Sequence, residues 1–194
     1  MLKMKLMTIC VTMVMLAICS ASQASLITPD GVSGTGTYNN SAGIIIDGTF
    51  PTEGSVWNGS DKVWWEGTAV TLTVDLGALY QLDDIVVSVD DNDTYLIEYS
   101  SDNISFSTLF SITPGMGEIN SGMDTMSTIS GDSEYVSDLD FSSVQSVRYL
   151  RISGVTGDND KYSVGELQAY GVPEPATMSL LGIGGLLALI RRRR

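Results

Sequence analysis

The sequence predicts an all-β protein, an antiparallel β-sandwich with jelly-roll topology. Three observations lead there. Several segments alternate apolar and polar residues with a period of two and are enriched in β-branched and aromatic side chains. Clusters of Gly, Asp, Asn and Ser interrupt the chain between them. No amphipathic helical period appears outside the two ends of the chain.

Taken in order, the elements begin with an export signal. Lys3 and Lys5 precede an apolar run over residues 6–18, and Ser22-Gln23-Ala24 supplies small residues around a cut. That pattern predicts a secretory signal peptide over 1–24, cleaved after Ala24. A lipoprotein box at Leu16-Ala17-Ile18-Cys19 is the rival reading, with a large Ile18 where that box wants a small residue. Residues 25–43 are rich in Gly, Ser, Thr and Asn and read as a flexible lead-in. Residues 70–76 place Leu72, Val74 and Leu76 on one face of a strand that Asp75-Leu76-Gly77 ends. Residues 85–89 align Ile85, Val87 and Val89. Tyr95, Ile97 and Tyr99 alternate with Leu96, Glu98 and Ser100, and residues 147–152 alternate again. Turns fall at Gly77-Ala78, Asp90-Asp91-Asn92-Asp93, Ser101-Asp102-Asn103 and Gly157-Asp158-Asn159-Asp160. Residues 115–133 read as a long loop of Gly, Met, Ser and Thr.

Composition removes whole classes of chemistry. Histidine is absent, and both cysteines, Cys10 and Cys19, lie in the signal segment. Histidine-based triads, the usual zinc sites and thiol nucleophiles are therefore excluded from the mature body. The chain carries a net charge of −13 even though Lys3, Lys5 and four terminal arginines belong to its ends. The body keeps as cations only Lys62, Arg148, Arg151 and Lys161. Such a surface repels nucleic acid and suits divalent cations, calcium above all.

The C-terminal segment is a sorting device by its physics. Pro173-Glu174-Pro175 is followed by an apolar run of 13 residues over 178–190 and then by Arg191, Arg192, Arg193 and Arg194. Thirteen residues fall short of the roughly 20 of a full membrane span, but arginine stems reach back to headgroups. Four arginines favour the cytoplasmic side, which leaves the body outside. Residues 172–194 thus read as a hinge, a short transmembrane helix and a basic stop. The segment resembles the PEP-CTERM signal of bacterial surface proteins. The resemblance implies processing by an exosortase-type membrane protease, with membrane anchoring beforehand and release to the cell surface or extracellular matrix afterwards.

Five blocks of the body occur in a recognisable order. They are Asp47-Gly48-x-x-x-Thr52, Val74-Asp75-Leu76-Gly77, Tyr95-x-Ile97-Glu98-Tyr99-Ser100-x-Asp102, Val147-Arg148-Tyr149-Leu150-Arg151-Ile152, and Tyr162-Ser163-Val164-Gly165-Glu166-Leu167-x-x-Tyr170-Gly171. Together, over 44–171, they resemble the discoidin or F5/8 type C domain, in the galactose-binding-like superfamily that includes family 32 carbohydrate-binding modules. The resemblance implies a structural calcium joining Asp47 and Thr52, the latter through its carbonyl, to Glu166. It also implies a glycan site among loop aromatics, for which Trp57, Trp64 and Trp65 are the candidates. Trp64 and Trp65 are neighbours, so in an extended strand at most one faces the core. No histidine is present to stand where many sugar-binding members place one. The expected function is a non-catalytic exported surface protein that binds polysaccharide or an exopolymer matrix. The alternative is a structural matrix protein without a defined glycan ligand. A two-carboxylate glycosidase is the enzyme reading, and one domain's length of chain leaves it no separate catalytic unit.

Overall fold

The computed structural model describes residues 23–119, 121–136, 144 and 146–174. The signal segment before residue 23, Pro175, the apolar run over 178–190 and Arg191, Arg192, Arg193 and Arg194 lie outside the described residues. Among the described residues no helix is long and apolar enough to cross a membrane.

Among the described residues nine strands form the body: β1 (Ser25–Leu26), β2 (Gly31–Thr35), β3 (Val63–Glu66), β4 (Thr71–Asp90), β5 (Asp93–Ser100), β6 (Ser107–Ile112), β7 (Met123–Ser127), β8 (Val147–Gly157) and β9 (Lys161–Pro173). A short 3-10 helix over Ala42–Ile46 precedes β3. All strand pairs are antiparallel.

The twenty-residue β4 organises both layers. Its first part, Thr71 to Asp75, lies between β2 and β8, and β8 continues to β5 and β6. Its second part, Leu82 to Val89, lies between β9 and β7, with β1 and β3 on the far side of β9. The strand therefore passes from one sheet to the other, and Gly77 sits at the passage with φ of 80°. Asp75 Oδ1 accepts from Gly77 N at 2.8 Å, which fixes the bend. The expected strand end at Asp75-Leu76-Gly77 is thus a corner inside a continuous strand. A side chain at 77 would be strained by its left-handed φ and would meet the Asp30 carboxyl at 2.7 Å.

The alternation read from the sequence marks the core correctly. Leu72, Val74, Leu76, Ile85, Val87, Val89, Tyr95, Ile97, Leu150 and Ile152 are all buried. Trp65, Tyr95 and Tyr162 form the aromatic centre. Trp65 stacks on Tyr162 at 5.8 Å, and Tyr95 meets Tyr162 edge-on at 5.8 Å. Pairs in these geometries add about 0.5–1.5 kcal/mol beyond their burial. The two arginines of β8 hold its flanks. Arg151 Nη2 meets Glu98 Oε2 at 2.7 Å across β5, and Arg148 Nε meets Asp75 Oδ1 at 3.0 Å across β4.

Two segments expected to be loose are built into the sheets. Residues 25–43 contribute β1, paired with β9, and β2, paired with β4. The expected long loop over 115–133 contains β7, fully buried along its length and paired with Val86 to Asp90. Its sequence, Met-Asp-Thr-Met-Ser, lacks the β-branched alternation of a half-buried strand, because β7 is covered on both faces. The turn at Ser100 to Asn103 matches its expectation. Ser100 Oγ accepts from Asp102 N and Asn103 N, and Asp102 Oδ1 accepts from Ile104 N and Ser105 N.

Gly165 in β9 permits a close approach of the Pro51 loop to this sheet. A Cβ there would stand 2.3 Å from the Pro51 ring. Gly165→Ala is expected to lower stability by about 1–3 kcal/mol, the usual cost of overpacking. A denaturant melt checks this, and an unchanged midpoint would show that the Pro51 loop yields freely.

Candidate functional site

Glu166 is the central residue of the first candidate site. It lies on β9 and is 1% exposed. Its Oε1 accepts from Gly48 N at 3.1 Å and from Gln168 Nε2 at 3.3 Å, while Oε2 has no hydrogen-bond partner. Gly48 adopts φ of 81°, which turns its N–H toward the carboxylate. Burial, reinforced by the negative charge of Asp47, pushes the Glu166 carboxyl up to about 7. Asp47 caps the 3-10 helix, and its Oδ1 accepts from Thr49 N at 2.8 Å. Asp47, Gly48 and Glu166 share the wall of a half-open cleft of about 150 Å³ with Leu26, Ile27 and Gln168.

The structure therefore brings Asp47 and Glu166 together. Thr52 does not line this cleft: it is exposed, it follows Pro51, which packs on Gly165, and its carbonyl accepts from Ser55 N at 3.1 Å. The ordinary alternative, an ion pair from Glu166 to Arg148 or Lys161, is not what forms. Arg148 goes to Asp75, and the Lys161 ammonium lies 5.2 Å from the Trp57 ring centre. A buried carboxylate oxygen with no donor is costly unless a proton or a cation meets it. The donor set, oxygen only and anionic, fits a hard divalent cation. Gln168 and the Gly48 amide are site members that the sequence reading missed. Gln168 was accessible to it in principle, since residues two apart on a strand share a face.

The aromatic candidates separate. Trp65 is 0% exposed and stacks in the core, so it offers no surface to a ligand. This corrects its place among the glycan contacts, and the cause is the side-to-side alternation of β3. Trp64, its neighbour, turns outward and is half-buried, edge-on to Trp57 at 5.0 Å and 88°. The patch is framed by tied loops. Asn39 N donates to Trp64 O at 2.9 Å, and Asn40 Nδ2 donates to both Gly59 O and Lys62 O. Lys62 itself is buried and holds Ser55 Oγ, Val56 O and the Asp61 carboxylate. Two half-exposed indoles beside an ammonium thus sit on a braced edge of the sheet.

The sorting hinge begins on the folded body. Pro173 is the last residue of β9 and pairs with Tyr80. Glu174 N donates to Leu79 O at 3.1 Å, and Glu174 Oε1 accepts from Ser146 Oγ at 2.6 Å. The first two residues of Pro-Glu-Pro are therefore held by the sheet.

The β4–β5 turn gathers further buried acid. Asp90, Asp91 and Asp93 are all buried, and neither oxygen of Asp93 has a hydrogen-bond partner. Burial pushes Asp90 and Asp91 up to about 6 and Asp93 up to about 7. Their folded values exceed their unfolded ones, so the native state holds more protons across this range. Stability from these groups is fully present below about pH 4 and is lost as pH rises through 6 to 7. In the presence of a chelator, the denaturation midpoint is expected to rise from pH 8 to pH 5. A flat or opposite profile would refute the buried-acid assignment.

Comparison with known proteins agrees with this architecture. Residues 171–194 match the PEP-CTERM protein-sorting motif. A search of curated proteins finds no match to the sequence. Among solved structures, a truncated AlyQ with CBM32 and alginate lyase domains is 17% identical with a TM-score of 0.52, over 78% of this chain and 34% of that one. CpGH89 from Clostridium perfringens, in complex with its substrate GlcNAc-alpha-1,4-galactose, is 20% identical with a TM-score of 0.51, over 77% of this chain and 15% of that one. The chain thus spans about a third or less of the length of these two. The family 32 module of Clostridium perfringens NanJ, in complex with galactose, is 15% identical with a TM-score of 0.48, over 76% of this chain and 99% of that one. The chain carries a PEP-CTERM sorting motif behind a β-sandwich whose fold is similar to that of family 32 and discoidin-like modules.

Proposed function

We propose that this chain is an exported, non-catalytic surface protein whose β-sandwich binds polysaccharide through the Trp57–Trp64 edge. The observation that carries the reading is that half-exposed indole pair on a braced sheet edge. Indole faces stack on the apolar faces of sugar rings, and Lys161 and the amide of Asn39 stand near to meet hydroxyls. The fold shared with a protein that carries a carbohydrate-binding module supports it. The sorting motif supports export and handling of the tail by an exosortase-type protease, with anchoring in the membrane before processing and residence at the surface or in the matrix after it.

A structural calcium at Asp47 and Glu166, with Thr52 contributing its carbonyl, belongs to the same reading. The orphaned Oε2 of Glu166 is the observation in its favour. Bound there, calcium supplies the positive charge that this carboxylate lacks. The chain's own part is to present the Gly48 loop against β9, which holds Glu166 Oε1 by the Gly48 amide.

Two experiments on the full-length chain test these assignments. In polysaccharide pull-downs, Trp64→Ala and Trp57→Ala should each weaken binding about tenfold, near the upper end of one ring contact. Binding that ignores both substitutions would displace the site, and no binding to any polysaccharide would favour the structural matrix reading. Calcium should raise the melting temperature at pH 8, and Asp47→Ala should abolish the part of the shift due to this loop. An identical calcium shift in Asp47→Ala would remove the site.

A further inference from the structure

A second group of carboxylates lies around β7. Glu53, Glu118, Asp124 and Glu134 each place a carboxylate oxygen within 4.8 Å of those of the other three. They come from four separate stretches of chain, and backbone bonds fix each stretch to β7 or its neighbours. Gly54 N donates to Met123 O, and Met123 N donates to Ser55 O. Ser127 N donates to Glu134 O. Ile119 N donates to Asp124 Oδ2 at 2.9 Å, which draws the Glu118 loop onto the strand.

Asp124 is the second and independent observation. It is 0% exposed, and its Oδ1 has no hydrogen-bond partner. The buried Oε2 of Glu134 also has none. Gly117 passes so close that a Cβ would collide with the Asp124 carboxylate, so the backbone has no side chain at that point to shield it. The body's four cations are all engaged elsewhere: Lys62 with Asp61, Arg148 with Asp75, Arg151 with Glu98 and Lys161 with Trp57. Four carboxylates this close, with no basic side chain paired to them among the described residues, favour a bound cation. Contact with Glu134 and burial push Glu118 up to about 7, and Glu53 and Asp124 are raised chiefly by burial.

The ligand count selects among cations. Magnesium is usually held by one or two carboxylates and keeps several waters, whereas calcium takes about 6–8 oxygens, many of them from carboxylates. Four carboxylates gathered within 4.8 Å of one another suit calcium. We propose that Glu53, Glu118, Asp124 and Glu134 form a calcium site, separate from the Asp47–Glu166 cleft, that clamps three loops onto β7. Glu53 follows Thr52 directly, so the loop after the 3-10 helix runs from the first site to the second.

Calcium binding to the full-length chain, measured by equilibrium dialysis at about 1 mM free calcium, the range of extracellular modules, tests the site. The double variant Glu118→Gln/Glu134→Gln should bind one calcium fewer than the unaltered chain. Glu53→Gln, an exposed position, should weaken that same site about tenfold through the loss of one ligand charge. Glu166→Gln should leave this calcium in place, which separates the outcome from that of the cleft. The proposal is overturned if the double variant keeps its fold by circular dichroism and binds as much calcium as the unaltered chain. It is equally overturned if the unaltered chain and Glu166→Gln both bind none.

Discussion

Asp93, Asp124 and Glu166 are each at most 1% exposed, and each has a carboxylate oxygen that meets no donor. Buried negative charge without a positive neighbour is the condition under which the rest of this domain is arranged. An uncompensated buried carboxylate costs several kcal/mol, a large part of a domain's total stability of about 5–15 kcal/mol. The chain has too few cations to pay that cost from its own side chains. Its two arginines of β8 go to half-exposed pairs at Asp75 and Glu98, where they align strands rather than neutralise the interior. The interior acids are left to protons at low pH and, on the reading proposed, to calcium where calcium is present.

The architecture explains why the acids collect where they do. β4 crosses between the sheets at Gly77 and delivers its last residue, Asp90, to the short turn that leads into β5, which pairs not with β4 but with β8 and β6. β7 pairs beside that end of β4, and the loops flanking β7 fold back over it. Asp91 N donates to Gly122 O, and Asp91 Oδ2 accepts from Gly115 N, so the β4–β5 turn and the β7 loops are one structure. β3, which carries Trp64, extends the far side of β9. The loop that carries Glu53 runs on to Trp57 and is bonded to β7 through Gly54, Ser55 and Met123, so the Trp57–Trp64 edge and the acids around β7 share one support.

Much of the frame is legible in the sequence because half-buried strands have a period of two. The faces of residues 70–76 and 85–89, the Ser100–Asp102 turn and the Asp158–Asp160 turn follow from local pattern alone. What escaped is non-local. β7 reads as a loop because both its faces are covered, so Asp124, Thr125 and Ser127 stand where alternation expects apolar side chains. The acidic turn after Asp90 reads as solvated until other loops cover it. Trp64 and Trp65 could be told apart only by the register of β3 on β9, which pairs Trp65 with Tyr162. Asp47 and Glu166 were readable as a pair through family resemblance. Glu53, Glu118, Asp124 and Glu134 were not, since no spacing along the chain announces four residues gathered by folding.

Anomalous diffraction from crystals of the chain grown with calcium addresses the central claim most directly. The account predicts density about 2.3–2.6 Å from Glu166 Oε2 and from the Asp124 carboxylate. Calcium-grown crystals with no peak at either place, and with both carboxylates hydrogen-bonded only to protein groups or water, would contradict it.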